Sequence, residues 1–251
     1  KGCETVFHTA APFYFKFKDA VTEFYNPVVK GTENVLETVN KTKSVKTVVY
    51  TSTGFATYGD NADIADKNNG ILNEECWNDT SSLSHNPYSY CKVTAEKLAW
   101  EIAGKQTNWK LKVLNPVNPI GATKSGFSTS GSHELYIQLG NGELKSGAPP
   151  FEVAFVDIED AMQAYWLTAK RGNIGEIYNI GGNKIISVGE FLKILIKLSN
   201  KPIKCVSDKN LFRPKDIGIQ ISDSSKFKKH TGWKPKINFK KSVDKLLNYC
   251  K

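Results

Sequence analysis

Short apolar runs alternate with helical stretches along the first half of the chain. Three of these runs have the pattern of buried strands: Thr5–Phe7, Thr47–Tyr50 and Leu111–Leu114. Between them, apolar residues recur at helical spacing in Val28–Val39 and in Tyr90–Ala103. Three strand–helix alternations within about 115 residues favour parallel strands that are joined by right-handed crossovers. The pattern therefore predicts an α/β fold built around a parallel sheet.

The pattern changes after Pro119, where the predicted elements become shorter and more mixed. A Gly/Ser/Thr-rich stretch, Gly121–Ser132, predicts a flexible connection. Further along, Ser187 and Glu190 have the spacing of a capping box, which predicts a helix through Leu198. We expect a sheet domain at 1–120, to which 150–182 adds a strand and a helix, and a smaller mixed α/β lobe formed by 121–149 and 183–251.

Composition and charge narrow the classes of protein that fit this chain. Its 251 residues are 40% hydrophobic and 24% charged, and these values exclude a disordered or fibrous chain. No apolar run approaches the roughly 18 residues of a membrane-spanning helix. The net charge of +9 comes from lysines that are dispersed along the chain without a nucleic-acid-binding motif. We therefore expect a solvated basic surface and neither a nucleic acid nor a membrane as partner.

The cysteines indicate the redox environment of the protein. Five are present, and they are scattered without a CxxC pair or a histidine at ligand spacing. The sequence therefore predicts no metal site. An odd, dispersed set is typical of free thiols in a reducing compartment, so we expect a cytoplasmic location. The five residues are Cys3, Cys76, Cys91, Cys205 and Cys250.

The most informative polar pattern is the pair formed by Tyr88 and Lys92. The two residues are four apart near the start of a predicted helix, which places their side chains on one helix face. A phenol has an ordinary pKa of about 10, and a neighbouring ammonium lowers that pKa toward the range useful for proton transfer. The pair is therefore a candidate for acid–base chemistry. A structural interpretation fits the same spacing, namely a tyrosine packed in the core beside a lysine that reaches outward to solvent.

A second polar group follows the predicted strand Thr47–Tyr50. Ser52 and Thr53 stand directly after it and before Gly54. These hydroxyls are expected at the carboxyl edge of a parallel sheet, where open α/β sheets bind ligands. A hydroxyl at that edge can hydrogen-bond a substrate carbonyl and hold it against Tyr88. The combination favours a functional site over packing alone.

Other polar residues are interpreted as structural. Asp157, Glu159 and Asp160 stand at the start of a predicted helix, where the helix dipole favours negative charge. His8 lies in the first predicted strand and is interpreted as a buried core histidine.

Several segments, taken in order along the chain, resemble the extended short-chain dehydrogenase/reductases. Within that superfamily they resemble the dihydroflavonol-reductase-like, aldehyde-reductase branch of the NAD-dependent epimerase/dehydratase family. The final stretch, from Arg213 to Leu247, is more similar to the tails of nucleotide-sugar dehydratases and epimerases, which leaves the substrate open. The segments that carry the resemblance to the reductase branch are Gly2–Pro12, Asn26–Glu37, Val48–Thr53, Asn86–Trp100, Val113–Gly121 and Ser125–Ala161.

The resemblance implies an NAD(P)-binding, Rossmann-like doubly wound sheet with a substrate-binding lobe beside it. It implies reduction of a ketone or aldehyde to an alcohol by hydride transfer from NADP or NAD, with the phosphate state of the cofactor open. Tyr88 is implied to be the general acid, and Lys92 to tune its pKa and to contact the nicotinamide ribose. Thr53 is implied to be the hydroxyl residue of the site, with Ser52 as its alternative.

Further contacts are implied by position in the same family. The backbone of three residues after the first strand would line the cofactor, and two residues after the third strand would lie beside the nicotinamide. Serines of the connecting stretch could reach the cofactor phosphates, and two further residues are candidates for substrate contact. The residues that would line the cofactor are Ala10, Ala11 and Pro12, and those beside the nicotinamide are Pro116 and Val117. The serines are Ser128, Ser130 and Ser132, and the candidates for substrate contact are Tyr58 and Arg213.

Three departures from the family pattern change these expectations. No Gly-rich phosphate-binding turn occurs among the 19 glycines, and the match starts at the family's fourth strand. We therefore expect a chain that lacks the N-terminal Gly-rich part, with weak pyrophosphate binding and an exposed edge at its first strand. Gly54 and Phe55 replace the acidic residue of the dehydratases, and Tyr58 replaces an asparagine of the plant flavonoid enzymes. These two departures argue against a dehydratase and against a flavonoid substrate.

Two alternatives to a carbonyl reductase stay open. The first is a nucleotide-sugar epimerase of the same superfamily, in which Arg213 would pair with a diphosphate. The second is a non-catalytic, truncated protein. The resemblance also implies that the protein could form a homodimer, because members of the family often pair through helix bundles.

Overall fold

A computed structural model gives the fold of the chain. It describes residues 2–14, 16–60, 62–67, 71–122, 134, 137–138, 152–182, 185–199, 202–204, 206, 219–220 and 222–250. In chain order its strands are β1 (Thr5–His8), β2 (Thr47–Thr51), β3 (Lys110–Pro116), β4 (Pro119–Ile120), β5 (Glu152–Ala154), β6 (Val156–Asp157), β7 (Ile177–Ile180), β8 (Ile185–Ser187) and β9 (Ile219–Gln220). Its helices are α1 (Gly31–Asn40), α2 (Asp63–Asp66), α3 (Pro87–Gly104), α4 (Ile158–Arg171), α5 (Val188–Ser199), α6 (Ser225–Thr231) and α7 (Phe239–Cys250).

The central sheet contains four parallel strands in the order β1-β2-β3-β7. Each connection between these strands contains at least one helix, as parallel pairing requires. Val48 of β2 pairs with Val6 of β1 on one side and with Leu111 of β3 on the other. The predicted parallel α/β sheet is therefore confirmed.

Both faces of the central sheet are buried, because alternate residues of each strand point to opposite sides. From β2, Val48 and Tyr50 belong to the core under α1 and α3, which also contains Trp109 and Val113. The intervening residue, Val49, belongs to the core on the other face, which is covered by α4 and α6. This alternation explains why β2 is apolar along its whole length rather than at every second position.

A smaller lobe packs beside the sheet. β4 pairs with β6, and β5 pairs with β8 and β9. A separate apolar core lies between α5 and α7 and contains Phe191, Leu195, Val243 and Leu246. The predicted capping box of α5 is confirmed: the N–H of Glu190 donates to Ser187 Oγ (3.0 Å), and the N–H of Ser187 donates to Glu190 Oε2 (3.2 Å).

The structure moves two predicted boundaries. The helix predicted from Val28 begins earlier, with a π-helical segment, Val21–Lys30, that continues directly into α1. This segment contains Pro27, which has no N–H to donate, and the wider winding accommodates it. The apolar stretch Val153–Val156 has the pattern of one strand, but it belongs to two, β5 and β6, which pair in different sheets.

The acidic start of α4 is structural, as the sequence indicated. Asp157 is the N-cap and accepts from the N–H of Glu159 (2.8 Å). Asp160 is buried, and its Oδ2 accepts the backbone N–H groups of Lys236 (2.9 Å) and Ile237 (2.8 Å). One carboxylate therefore ties the segment before α7 to the helix that borders the sheet.

Asp160→Ala is expected to lower the free energy of unfolding by about 2–4 kcal/mol, because two buried backbone N–H groups lose their acceptor. Urea denaturation of the variant and of the parent protein measures the change. Glu33→Ala is the control, since it removes an exposed pair with Lys30 and is expected to cost less than about 1 kcal/mol. Equal losses for the two variants would contradict this account of Asp160.

Candidate active site

A cleft of about 1170 Å³ opens at the carboxyl edge of the central sheet. Its walls come from the residues that follow β1, β2 and β3, from the start of α3, and from α4 and α7 of the opposite side. This is the edge at which open α/β sheets bind ligands. Its lining residues include Thr9, Ala11, Phe13, Thr51, Ser52, Thr53, Phe55, Tyr88, Lys92, Pro116, Asn118, Ile120, Ile158, Glu159, Met162, Lys245 and Asn248.

The start of α3 is fixed by a turn that the sequence makes specific. Asn86 adopts the left-handed conformation (φ 55°) and its side-chain amide donates to Asp60 Oδ1 (2.9 Å) and to the carbonyl of Gly59 (3.1 Å). Pro87 follows as the first helical residue, where its missing N–H costs nothing. Tyr88 therefore lies in the first turn of α3, at the wall of the cleft.

The Tyr88 side chain is held between aromatic rings. The Phe13 ring lies 4.7 Å from it, centroid to centroid, and the Phe24 ring lies 6.2 Å away. Burial raises the pKa of Tyr88 to about 12, and a hydrogen bond with the side chain of Thr53 acts in the opposite direction. The phenol is consequently protonated at neutral pH and stands beside a second hydroxyl.

Lys92 lies one helical turn further along α3 and is buried, with 3% of its surface exposed. Its Nζ donates to the carbonyl oxygen of Thr51 (2.6 Å) and lies 5.3 Å from the centroid of the Tyr50 ring. Burial lowers the pKa of Lys92 to about 8, and the carboxylate of Glu96 opposes that shift. The ammonium is therefore anchored to the end of β2 beside the cleft.

One prediction about the pair is wrong. The sequence predicts a Tyr88 pKa below its ordinary value, whereas burial raises that pKa. The reason is that burial outweighs the other effects on the phenol, while the ammonium is directed at the Thr51 carbonyl. The shared helix face was predicted correctly, but the electrostatic balance depends on packing around both groups.

The two candidate hydroxyls differ in their surroundings. Thr53 lines the cleft, bonds with Tyr88 and accepts from the N–H of Phe55 (3.4 Å). Ser52 is 2% exposed, and its hydroxyl interacts with the Glu96 carboxyl. Thr53 is therefore better placed than Ser52 to meet a ligand and Tyr88 together.

Other predicted contacts divide between the cleft and its surroundings. Ala11 and Pro116 line the cleft. Val117 lines a smaller neighbouring cavity of about 40 Å³, which Pro116 and Thr53 share. Ala10 and Pro12 are not lining residues of either cavity. The predicted residues Ser128, Ser130, Ser132 and Arg213 lie outside the part of the chain that the structure describes.

Tyr58 does not line the large cleft but the smaller cavity that Thr53 and Pro116 share, and its role as a substrate contact stays a prediction. Its ring is 6% exposed and packs in a cluster with Ile64 and Leu72. Burial raises the pKa of its phenol well above the ordinary value. The short 3-10 turn Gly54–Ala56 changes the chain direction after Thr53 and turns Tyr58 away from the cleft toward this cluster.

Sequence reasoning missed one group that stands directly behind the Tyr–Lys pair. Glu96 is 1% exposed and lies four residues beyond Lys92, as Lys92 lies four beyond Tyr88. The repeated spacing of four was the available signal. The far wall of the cleft, formed by Ile158 and Met162 of α4 and Lys245 of α7, was also missed, because it joins segments that are distant in sequence.

The sheet and the cleft at its carboxyl edge are those of a Rossmann-like, NAD(P)-binding fold. Residues 1–181 match the model of the NAD dependent epimerase/dehydratase family. The chain belongs to this family, and the predicted resemblance is confirmed.

Two relatives and one solved structure illustrate the similarity. The chain is 32% identical over 239 residues to cinnamoyl-CoA reductase 1 of Arabidopsis thaliana, which covers 89% of this chain and 65% of the relative. It is 31% identical over 186 residues to anthocyanidin reductase of Arabidopsis thaliana, which covers 68% of this chain and 52% of the relative. Its fold matches yeast methylglyoxal/isovaleraldehyde reductase complexed with NADPH, with a TM-score of 0.80, 27% identity and coverage of 98% of this chain and 76% of that one. The chain thus spans between about half and two thirds of these two curated relatives.

The structure also bears on membrane association. Among the residues it describes, no helix combines the length and the apolar character that crossing a bilayer requires.

Proposed function

We propose that the chain carries the catalytic groups of an NAD(P)-dependent reductase that converts a small ketone or aldehyde to an alcohol. The observation that carries this proposal is the convergence of Thr53, Tyr88 and Lys92 on one cleft. A phenol, a hydroxyl and an ammonium at one point suit proton donation to a carbonyl oxygen. The related cinnamoyl-CoA and anthocyanidin reductases are named for reductions, which supports the same reaction class.

The residues of the cleft fit the nicotinamide end of a dinucleotide. The hydroxyls of Thr51 and Ser52 line the cleft at the end of β2, beside the Lys92 ammonium, where they also interact with Tyr165 and Glu96. Pro116 offers an apolar surface on the next strand. We propose that Lys92 and the end of β2 hold the ribose and that Pro116 lies against the ring. The bound dinucleotide, NADP or NAD, supplies the hydride.

The chain's own residues perform the rest of the reaction. The Thr53 hydroxyl orients the substrate carbonyl by a hydrogen bond to its oxygen. As hydride adds to the carbonyl carbon and the C=O π bond breaks, Tyr88 transfers its proton to that oxygen, which yields the alcohol and the oxidised dinucleotide. The Lys92 ammonium stabilises the resulting phenolate until solvent returns the proton.

The raised pKa of Tyr88 agrees with this direction of reaction. A group with a pKa of about 12 is fully protonated at pH 7, so it is ready to donate. Donation leaves a strongly basic phenolate, and a nearby positive charge compensates for that cost. Proton donation therefore needs both the Tyr88 phenol and the Lys92 ammonium.

Substitution of the two hydroxyls tests which of them acts on the substrate. Thr53→Ala is expected to lower kcat/KM for aldehyde reduction by about 10–100-fold, because the carbonyl loses a hydrogen bond that orients it. Ser52→Ala is expected to cause a smaller loss, since Ser52 is 2% exposed and Thr53, not Ser52, bonds with Tyr88. Steady-state oxidation of reduced dinucleotide measures both. A larger loss for Ser52→Ala would exchange their assigned roles.

Several finer predictions accompany this function as proposals. Residues 1–120 with 150–182 would bind the dinucleotide, and residues 121–149 with 183–251 would bind the substrate. The apolar wall that Ile158 and Met162 contribute supports a substrate with an apolar portion. Cytoplasmic location, a homodimer and the epimerase alternative stay predictions. Formation of a C4-epimerised nucleotide sugar without net dinucleotide turnover would favour the epimerase.

A further inference from the structure

Four residues spaced by four form a stripe along α3: Tyr88, Lys92, Glu96 and Trp100. This spacing places them on one helix face in sequence order. The proposed reaction uses the first two. Glu96 is an ionisable group behind them, almost completely buried, that the reaction does not use.

Glu96 is held in place but is incompletely satisfied. The indole N–H of Trp100 donates to its Oε1 (3.4 Å). Its Oε2 is buried without a hydrogen-bond partner among the residues described. The Ser52 hydroxyl acts on the Glu96 carboxyl as a hydrogen-bonding group and lowers its pKa, but it gives Oε2 no hydrogen bond of good geometry. A buried carboxylate with a vacant acceptor is costly, so a compensating charge must lie nearby.

That charge is the Lys92 ammonium. Glu96 is the acidic group that acts on Lys92, and Lys92 and Lys97 act on Glu96 in return. Burial raises the pKa of Glu96 and lowers the pKa of Lys92, so each group opposes the neutralisation of the other. The carboxylate and the ammonium therefore depend on each other for their charge.

Two titratable groups on the neighbouring strands, His8 and Tyr50, are neutral at pH 7. Burial and the charge of Lys92 lower the pKa of His8, on β1, to about 4. Burial raises the pKa of Tyr50, on β2, and the Glu96 carboxylate adds to this effect. Thr32 of α1 contributes a hydroxyl that lies 3.3 Å from both His8 and Tyr50. Lys112 of β3 is directed elsewhere, at the carbonyls of Thr168 and Ala169.

We propose that Glu96 is a positioning residue, whose buried carboxylate keeps the Lys92 ammonium charged beside Tyr88. Its effect on reduction rests on the proposed function, whereas the coupling between the two charges does not. Without Glu96, burial alone acts on Lys92, and the ammonium loses its proton at a lower pH. The phenolate left by proton donation then has no cation beside it.

The test is the titration of Lys92 in the purified protein, with and without Glu96→Gln. Carbon-13 NMR of lysine labelled at Cε reports the protonation of Lys92, which Lys92→Arg assigns. The pKa of Lys92 is expected near 8 in the parent protein and about one unit or more lower in Glu96→Gln. Glu101→Gln is the matched control, because Glu101 is an exposed glutamate of the same helix and pairs with Lys105. It should leave the titration of Lys92 unchanged.

The pH dependence of kcat/KM for reduction is a second measurement, and it would not change if the role of Glu96 were merely structural. Lys92 is charged below its pKa and loses its charge as the pH rises. The alkaline fall of kcat/KM should therefore shift to lower pH in Glu96→Gln, by the same amount as the titration, while rates at pH 6 stay near the parent value. An unchanged titration and an unchanged alkaline fall would overturn the proposal.

Two further outcomes distinguish failure of the charge coupling from failure of the proposed function. A shifted Lys92 titration in a protein without reductase activity would support the coupling and refute the proposed function. If Glu96→Gln does not fold, carbon-13 NMR of the parent protein labelled at the glutamate Cδ reports whether Glu96 is ionised. A Glu96 carboxyl that is ionised at pH 7 supports the proposal, and one that is protonated at pH 7 overturns it.

Discussion

Tyr88→Phe is expected to lower kcat for carbonyl reduction by about 10²–10⁴-fold, because the phenol that donates the proton is lost. The substitution removes one oxygen atom and keeps the ring that packs against Phe13 and Phe24. Binding of the dinucleotide should therefore change little. Steady-state kinetics with an aldehyde measures the first effect, and fluorescence titration of the reduced dinucleotide measures the second.

Tyr90→Phe is the matched control for this substitution. Tyr90 lies two residues further along α3, so it is not on the face that Tyr88 and Lys92 share, and its ring packs against the core under that helix. This control should retain nearly all of the activity. If Tyr88→Phe reduced aldehydes as fast as Tyr90→Phe, the assignment of the general acid would be wrong.

Lys92→Met is expected to have the second-largest effect, a loss of about 10²–10³-fold in kcat/KM. Methionine replaces the buried stem but removes the charge beside Tyr88 and the donor to the Thr51 carbonyl. The dissociation constant of the dinucleotide should rise as well, since we propose that Lys92 contacts the ribose. This combination distinguishes Lys92→Met from Tyr88→Phe, which should affect kcat with little change in binding.

Lys97→Met controls for the loss of a positive charge from the same helix. Lys97 is exposed, and its Nζ lies 5.5 Å from the centroid of the Trp77 ring, away from the cleft. Its substitution is expected to leave both kcat/KM and dinucleotide affinity close to the parent values. Equal losses in the two methionine variants would show that the charge of the helix, rather than the position of Lys92, is what matters.

Local features of the sequence were sufficient to predict the strand and the helix face that carry the site. The apolar run Thr47–Tyr50 predicted β2 to within one residue, because a strand buried on both faces is continuously apolar. The spacing of Tyr88 and Lys92 predicted their shared face, since helical geometry is local. Their meeting with Thr53 followed from one topological rule, that parallel strands end at a common edge.

The parts that could not be predicted depend on contacts between distant segments. The burial of Glu96 is an example: its spacing places it on the face of Tyr88 and Lys92, but a glutamate there is ordinarily solvated, and the spacing does not show that this part of the face is covered. Tyr58 is another, since a short turn after Thr53 sends it into a cluster with Leu72. The pKa of Tyr88 is a third example: burial raises it and the hydrogen bond with Thr53 lowers it, and the packing of distant segments decides which effect is larger.

The most direct test of the central claim is the fate of the hydride. The protein is supplied with an aldehyde and with reduced dinucleotide that carries deuterium at both hydrogen positions of C4 of the nicotinamide, and the alcohol is analysed by mass spectrometry. Transfer of one deuterium to the carbinol carbon, abolished by Tyr88→Phe, is the expected result. An alcohol without deuterium, or no alcohol from any aldehyde or ketone despite bound dinucleotide, would contradict the claim that Thr53, Tyr88 and Lys92 form a carbonyl-reducing site.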